Sequence, residues 1–313
     1  MRRIERVVVS GATSFLGSAT VSELLAMGCK VYGIVRPDSK ARYMLPSHAL
    51  FHEVSCDIAD AEKWATEIGR ADTFLHFAWG GPGIQGRSNK TIQRLSGDYS
   101  LQALKYAGKM GVERFFVSGS QAEYGPIDGL ISEDAICHPV LEYGKNKLRV
   151  CLEAPPIAQK LGMEYIHARF FSVYGPRDHP YALIPSCIRC FLQDESMELS
   201  ECRNKWNFLH VDDAARAVLS LVKMRLTTPS LLVNIASTDT RILREFVEEI
   251  HELCGKRGSC AFGTRKVIER QVDNWPDISR LQSMINWEPC ITFTEGINRL
   301  IQIERCGIIG AEV

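Results

Sequence analysis

The stretch Arg6-Val-Val-Val-Ser10 running into Gly11-Ala-Thr-Ser-Phe-Leu-Gly17 constrains this chain more than any other. An apolar run of strand length meets a glycine turn, and an apolar-periodic stretch of helix length, Phe15–Met27, follows at once. Gly11 permits the tight turn, and Gly17 lets helix and strand pack closely. A turn of this kind points the free amides of a helix N-terminus at one spot, where a pyrophosphate binds. Gly11, Thr13, Ser14, Phe15, Leu16 and Gly17 are the residues that would meet a dinucleotide there. Ser14 replaces the usual middle glycine, and its hydroxyl can also bond a phosphate.

Strand-length runs continue at Lys30–Val35, Leu50–Val54, Thr73–Phe77, Arg114–Ser118 and Tyr165–Phe170. Long helical patterns at Asn89–Met110 and Glu142–Leu161 separate the later ones. Alternating βα units predict an α/β fold: a Rossmann-like, doubly wound parallel sheet with helices on both faces. Trp206–Leu209, a helix over Ala214–Lys223 and a strand over Leu232–Ala236 are expected to return to that sheet. The expected division is therefore residues 1–172 plus about 206–236 for the dinucleotide-binding domain. Residues of about 173–205 plus 237–313 would form a smaller C-terminal substrate-binding lobe. Pro155-Pro156 lies inside the second long helix. Each proline costs roughly 3 kcal/mol in a helix interior, so a kink or break is expected there.

Lys+Arg and Asp+Glu both number 37, which removes the basic excess a nucleic-acid binder shows. No run of about 18 apolar residues exists, so no membrane span is expected. The apolar run near the start is too short for a signal peptide. Eleven cysteines, an odd number without framework spacing, read as free thiols in the reducing cytoplasm. Cys187-Ile-Arg-Cys190 sits in a helix-like stretch and reads as packing. His210, Asp212 and Asp213 project in different directions and read as a helix cap, so no metal is expected. His76, in a buried strand, reads as a core histidine.

The chemistry points to Tyr143-Gly-Lys-Asn-Lys147. A tyrosine and a lysine four residues apart share one helix face. An ammonium beside a phenol favours the phenolate. Bringing a tyrosine from ~10 to neutrality takes ~3 units, or about 4 kcal/mol. Such a group can exchange a proton with a sugar hydroxyl or carbonyl while a hydride moves. The end of the second strand chooses the cofactor. An acid there suits a ribose diol, but this chain has Arg36, whose fork matches a 2′-phosphate. NADP(H) is therefore expected ahead of NAD(H). Asp57, with Ile58, is a candidate for the adenine end. Gly80-Gly-Pro-Gly-Ile-Gln-Gly-Arg87 reads as a flexible loop beside the cleft, with Arg87 available to a nucleotide or sugar.

Together these residues resemble the extended short-chain dehydrogenase/reductase family, in its sugar-nucleotide epimerase, dehydratase and reductase branch. The resemblance rests on Gly11–Gly17, Asp57, Leu75-His-Phe-Ala78, Phe116–Gly125, Tyr143–Lys147, Ala168–Arg177 and Trp206–Asp213. It implies Tyr143 as acid/base, Lys147 on the nicotinamide ribose, and Ser120 on the reacting sugar oxygen. It implies Phe77, Ala78, Trp79, Phe170, Phe171 and Val173 around the cofactor. Gln121, Ser172, Arg87, Arg177, Arg203 and Trp206 would face a nucleotide-sugar substrate. The dehydratases carry Glu, and the 3,5-epimerase/reductases Cys, where Ala122 stands here. Alanine has no proton to exchange, so both chemistries lose their key group. Glu123 is expected to point away or cap a turn. Hydride transfer at one carbon remains: reduction of a nucleotide-linked 4-keto-6-deoxyhexose, a 4-epimerisation, or reduction of a ketone on a non-nucleotide substrate; a non-enzymatic NADP-sensing protein is the alternative from another class. The arginine that usually reaches the nucleotide phosphates is absent from Trp206-Asn-Phe208, and Arg203 or Lys205 would substitute. The family's usual homodimer, formed through the two long helices, is expected here.

Overall fold

The computed structural model describes residues 2–265 and 272–307. Parts of the expected small lobe, residues 266–271 and 308–313, lie outside the described residues. The strands are β1 (Arg6–Ser10), β2 (Lys30–Val35), β3 (Phe51–Ser55), β4 (Thr73–His76), β5 (Arg114–Ser120), β6 (Leu130–Ile131) and β7 (Glu164–Phe170). They continue as β8 (Ser172–Tyr174), β9 (Ser196–Leu199), β10 (Lys205–His210), β11 (Ser230–Ile235), β12 (Thr240–Ile242), β13 (Ser259–Phe262) and β14 (Trp275–Pro276). The helices are α1 (Phe15–Ala26), α2 (Ala61–Ile68), α3 (Gly83–Ser88), α4 (Lys90–Lys109) and α5 (Glu142–Lys160). After them come α6 (Leu183–Leu192), α7 (Val211–Lys223), α8 (Leu243–Leu253), α9 (Ser279–Ile285) and α10 (Phe293–Arg305).

A seven-stranded sheet runs in the order β11-β7-β5-β4-β1-β2-β3. All its pairings are parallel. Side chains alternate across it as a two-residue period demands. Val7 and Val9 enter the core with Leu24 of α1 and Val218 of α7. Val8 enters the opposite core with Trp64 of α2, Leu104 of α4 and Val150 of α5. The strand order turns back between β1 and β4, which opens a crevice beyond their carboxyl ends. The predicted α/β doubly wound sheet is therefore the fold observed.

The second half departs from expectation at β10. It pairs with β8 and β12 in a separate three-stranded sheet and does not return to the large one. The place beside β7 is taken by β11. Phe208 of β10 packs instead on Tyr174, Phe246 and Phe293, in a third core shared with α6, α8 and α10. The expected break at Pro155-Pro156 does not occur either, since α5 runs on to Lys160. Ala154 and Ala158, on either side of the prolines, are buried against the sheet, and the last turn closes with Leu161 donating to the Ile157 and Ala158 carbonyls. Burial of one face carries the helix past two missing donors.

Candidate active site

The cofactor end of the crevice is made largely of backbone. Gly11 has φ 69°, and a Cβ there would sit 2.6 Å from the Ala78 nitrogen, so only glycine lets the turn approach the end of β4. Ser14 is the N-cap of α1, its hydroxyl accepting the Gly17 N–H at 3.1 Å. Thr13 Oγ1 lies 3.3 Å from Ser39 Oγ, which ties the glycine turn to the loop after β2. That loop begins at Arg36, which is exposed, with no acid at the strand end. Asp57 uses Oδ1 to accept the Ala59 N–H at 2.9 Å, and Ile58 follows it in the same turn. The glycine cradle and the free helix amides fit a dinucleotide.

The reacting end is assembled from side chains. Parallel register sets Ser120, the last residue of β5, beside Phe170 of β7. Tyr143 and Lys147 project from the first turns of α5. The helix comes close enough because residue 144 is glycine; a Cβ there would collide with the Ala122 carbonyl. Ser120 lies beside the half-buried Tyr143 side chain, near enough for its hydroxyl to favour the phenolate. Trp79 stands edge-on to the Tyr143 ring, centroids 6.0 Å apart, and the Arg87 guanidinium lies 5.0 Å from that ring's centroid. Gly80–Arg87 is more built than a flexible loop. It folds into α3, and Gln93 of α4 pins it, donating to the Gly80 and Gly86 carbonyls and accepting the Trp79 indole N–H at 2.7 Å.

Lys147 Nζ lies 5.8 Å from the Tyr143 ring centroid. Its Nζ donates to the Ser118 carbonyl at 2.5 Å and lies 3.8 Å from the Trp79 ring centroid. Burial pulls its pKa down to about 7. Burial likewise raises Tyr143, and the Ser120 hydroxyl and the Arg87 charge oppose this. The serine in contact with the tyrosine is therefore Ser120, while Ser118 serves the lysine through its backbone.

Ala122 offers no proton, and Glu123 is turned away from the crevice as expected. Glu123 is wholly buried, bonded to His167 and Arg169 of β7. Burial favours its neutral form, but those two partners outweigh this and hold it at about 2, while Glu123 lifts His167, against its own burial, to about 9. Ligand atoms of Glu123, Cys151 and His167 come within 4.8 Å of one another, the one such group among the described residues. The Arg169 guanidinium already occupies the Glu123 carboxylate, which disfavours a cation. His76 bridges Ser10 and Ser100 and is held neutral, near 3, by burial, as a core histidine.

Other expected substrate residues are spread around the crevice. Arg177 is exposed and donates to the Met44 carbonyl at 3.4 Å. Arg203 is 80% exposed and pairs with Glu201. Gln121 Oε1 and Trp206 Nε1 are buried without partners among the described residues. Ser172 Oγ accepts from Asn274, and half-buried Val173 follows it on β8. His210 accepts the Asp212 N–H through Nδ1, as the predicted cap of α7. Gln93, His167 and Arg169 escaped the sequence reading, because nothing local marks a helix glutamine or two alternate strand residues as parts of one site.

A model of the NAD dependent epimerase/dehydratase family matches residues 7–236. The chain belongs to that family. The Bacillus subtilis member named uncharacterized UDP-glucose epimerase YtcB is 22% identical over 316 residues, covering 95% of this chain and 96% of its own. The Escherichia coli dTDP-4-dehydro-6-deoxyglucose reductase is 24% identical over 313 residues, covering 96% and 98%. Among solved structures, MoeE5 in complex with UDP-glucuronic acid and NAD superposes with a TM-score of 0.84 at 25% identity, covering 96% of this chain and 99% of that one. Relatives in this family carry epimerase, decarboxylase and reductase names. The extended short-chain dehydrogenase/reductase resemblance read from the motifs is thus the family found.

Proposed function

We propose that the chain is an NADPH-dependent reductase of a nucleotide-linked 4-keto-6-deoxyhexose, acting as a cytoplasmic homodimer. The observation that carries this reading is the Ser120–Tyr143 pair with alanine at position 122 and Glu123 sequestered. A site with one proton carrier at the crevice suits chemistry at one carbon. Bound NADPH supplies the hydride that reaches the carbonyl carbon. Tyr143 gives its phenolic proton to the carbonyl oxygen, and Ser120 donates a hydrogen bond that holds this oxygen. Lys147 and Trp79 keep water from the buried side of the tyrosine. Arg36, with Thr13 and Ser39 nearby, is the feature that favours a 2′-phosphate. Gly11–Gly17 hold the pyrophosphate, while Phe77, Ala78, Phe170 and Val173 line the nicotinamide end. Arg87, Arg177, Gln121, Ser172 and Trp206 face the sugar nucleotide, and Arg203 supplies charge at the lobe's rim.

A second reading, an NAD-dependent nucleotide-sugar 4-epimerase, is favoured by the MoeE5 complex, which pairs a UDP-sugar with NAD on the same fold. One assay separates the two: NADPH oxidation with CDP-, dTDP-, UDP- and GDP-linked 4-keto-6-deoxyhexoses offered in turn. Consumption with one of them is the expected result. Absence of consumption, together with cofactor that survives purification and redox-neutral conversion of a UDP-hexose, establishes the epimerase instead.

A further inference from the structure

Glu123 belongs to no step above, yet it sits directly behind the reacting serine. Its Oε1 accepts the Ser120 backbone N–H at 2.8 Å and lies 2.9 Å from His167 Nε2. Its Oε2 accepts Arg169 Nε–H at 2.8 Å. His167 and Arg169 are two apart on β7, so both point to the same face. His167 is anchored in turn by the Tyr165 hydroxyl, 3.0 Å from its Nδ1. Burying a carboxylate, an imidazolium and a guanidinium together is costly, and apolar residues would fill the space as stably. A network kept at such cost is specific to what it orients. Ser120 and Glu123 form a capping box: the glutamate takes the serine amide, and Ser120 Oγ accepts the Ala122 N–H at 3.2 Å. With that lone pair engaged, the hydroxyl proton is free for Tyr143 or a sugar oxygen.

We propose that Glu123, clamped by His167 and Arg169, is a positioning residue that holds Ser120 in the rotamer serving Tyr143. This rests on the reading of Ser120 and Tyr143 as the reacting pair, but not on any particular substrate. Charged and titratable groups face the clamp from β7 (His167, Arg169) and from α5 (Lys147, Cys151). Cys137 and Tyr124 touch the other side of Arg169. Tyr143 itself meets Ser120, Arg87 and the through-space charge of Glu123.

The test reads the Tyr143 phenol directly, by NMR titration of the protein labelled with ¹³C at tyrosine Cζ, its signal assigned with Tyr143→Phe. No substrate is required. Ser120→Ala is expected to move the Tyr143 titration upward by about half a unit or more. Glu123→Ala is expected to move it the same way, with Glu123→Gln intermediate. Adding either to Ser120→Ala should produce no further upward shift, only the downward one from losing the through-space charge. The sign is decisive, because the Glu123 charge raises the Tyr143 pKa through space and its loss alone would lower it. A downward shift or no shift in the single Glu123 variants, or a further upward shift on the Ser120→Ala background, overturns the proposal. Should Glu123→Ala not fold, the near-isosteric Glu123→Gln gives the same sign and the same additivity readout. With a substrate in hand, kcat should fall about 10-fold in Glu123→Gln with KM little changed. An upward, non-additive shift in a protein that turns over no nucleotide sugar leaves this positioning role standing and sinks the functional reading.

Discussion

The two ends of the crevice are built from different materials. At the cofactor end, a glycine turn and helix amides from one continuous stretch, residues 11–17, form the cradle. At the reacting end, the segment after β4 together with β5, α3 and α5 contributes side chains, and β7 braces them from behind. The first construction rests on backbone and cannot accept a Cβ at its glycines. The second tolerates backbone adjustment but depends on individual functional groups. A single substitution should therefore separate binding from turnover, according to the end at which it falls.

The largest expected effect is at the reacting end. Tyr143→Phe removes the proton carrier and should lower turnover by about 10³-fold or more, with cofactor affinity within about twofold, measured by initial rates and fluorescence titration. Comparable loss of affinity would erase the distinction between the ends. Next comes the cradle. Gly17→Ala drives a Cβ into the Gly11 carbonyl and to 2.7 Å from Ser14 Oγ. Cofactor binding should weaken about 10-fold or more while kcat at saturation changes little. Arg36→Ala sharpens the cofactor choice, with NADPH affinity falling about 10-fold and NADH affinity unchanged, in a side-by-side titration. Equal affinity for NADPH before and after would remove the case for a 2′-phosphate site.

A smaller effect concerns stability behind the serine. His167 titrates near 9 in the fold against an ordinary 6.5, so its contribution is complete below pH 6.5 and is lost as pH rises through 9. Glu123 titrates near 2 against 4.5, so its contribution is present above pH 4.5 and is lost as pH falls through 2. The pair is fully effective between pH 4.5 and 6.5. Urea unfolding should show His167→Gln costing about 1–3 kcal/mol at pH 6 and distinctly less at pH 9.5. A cost independent of pH would mean that the imidazole serves only by packing. The smallest effect belongs to α5: Pro156→Ala, on its exposed side, should stabilise by no more than about 1 kcal/mol, since burial already carries the helix.

Most of the large sheet could be read from the chain because its signals are local. A strand both of whose faces are covered is a continuous apolar run, and Val7-Val-Val9 announces itself. Asn89 was legible as the start of a long helix because it caps α4, its side chain accepting the Ile92 N–H. The misplacement of β10 has the opposite cause. Its sequence is as strand-like as that of β11, and which sheet receives a strand depends on partners far away in the chain. Pro155-Pro156 misled for a related reason, since the local cost of proline is repaid by tertiary burial of Ala154 and Ala158.

The sequence by itself determined the family and the doubly wound sheet, and it put Ser120, Tyr143 and Lys147 forward as one candidate site. Each of these follows from short-range patterns that physical chemistry reads the same way in any surroundings. Only the tertiary structure decided where Lys147 points, that Glu123 accepts the Ser120 amide, and that the Arg87 guanidinium lies over the Tyr143 ring. Those outcomes depend on burial and on distances of a few ångströms between elements remote in the chain. Electrostatics in a low-dielectric interior changes most steeply over that range.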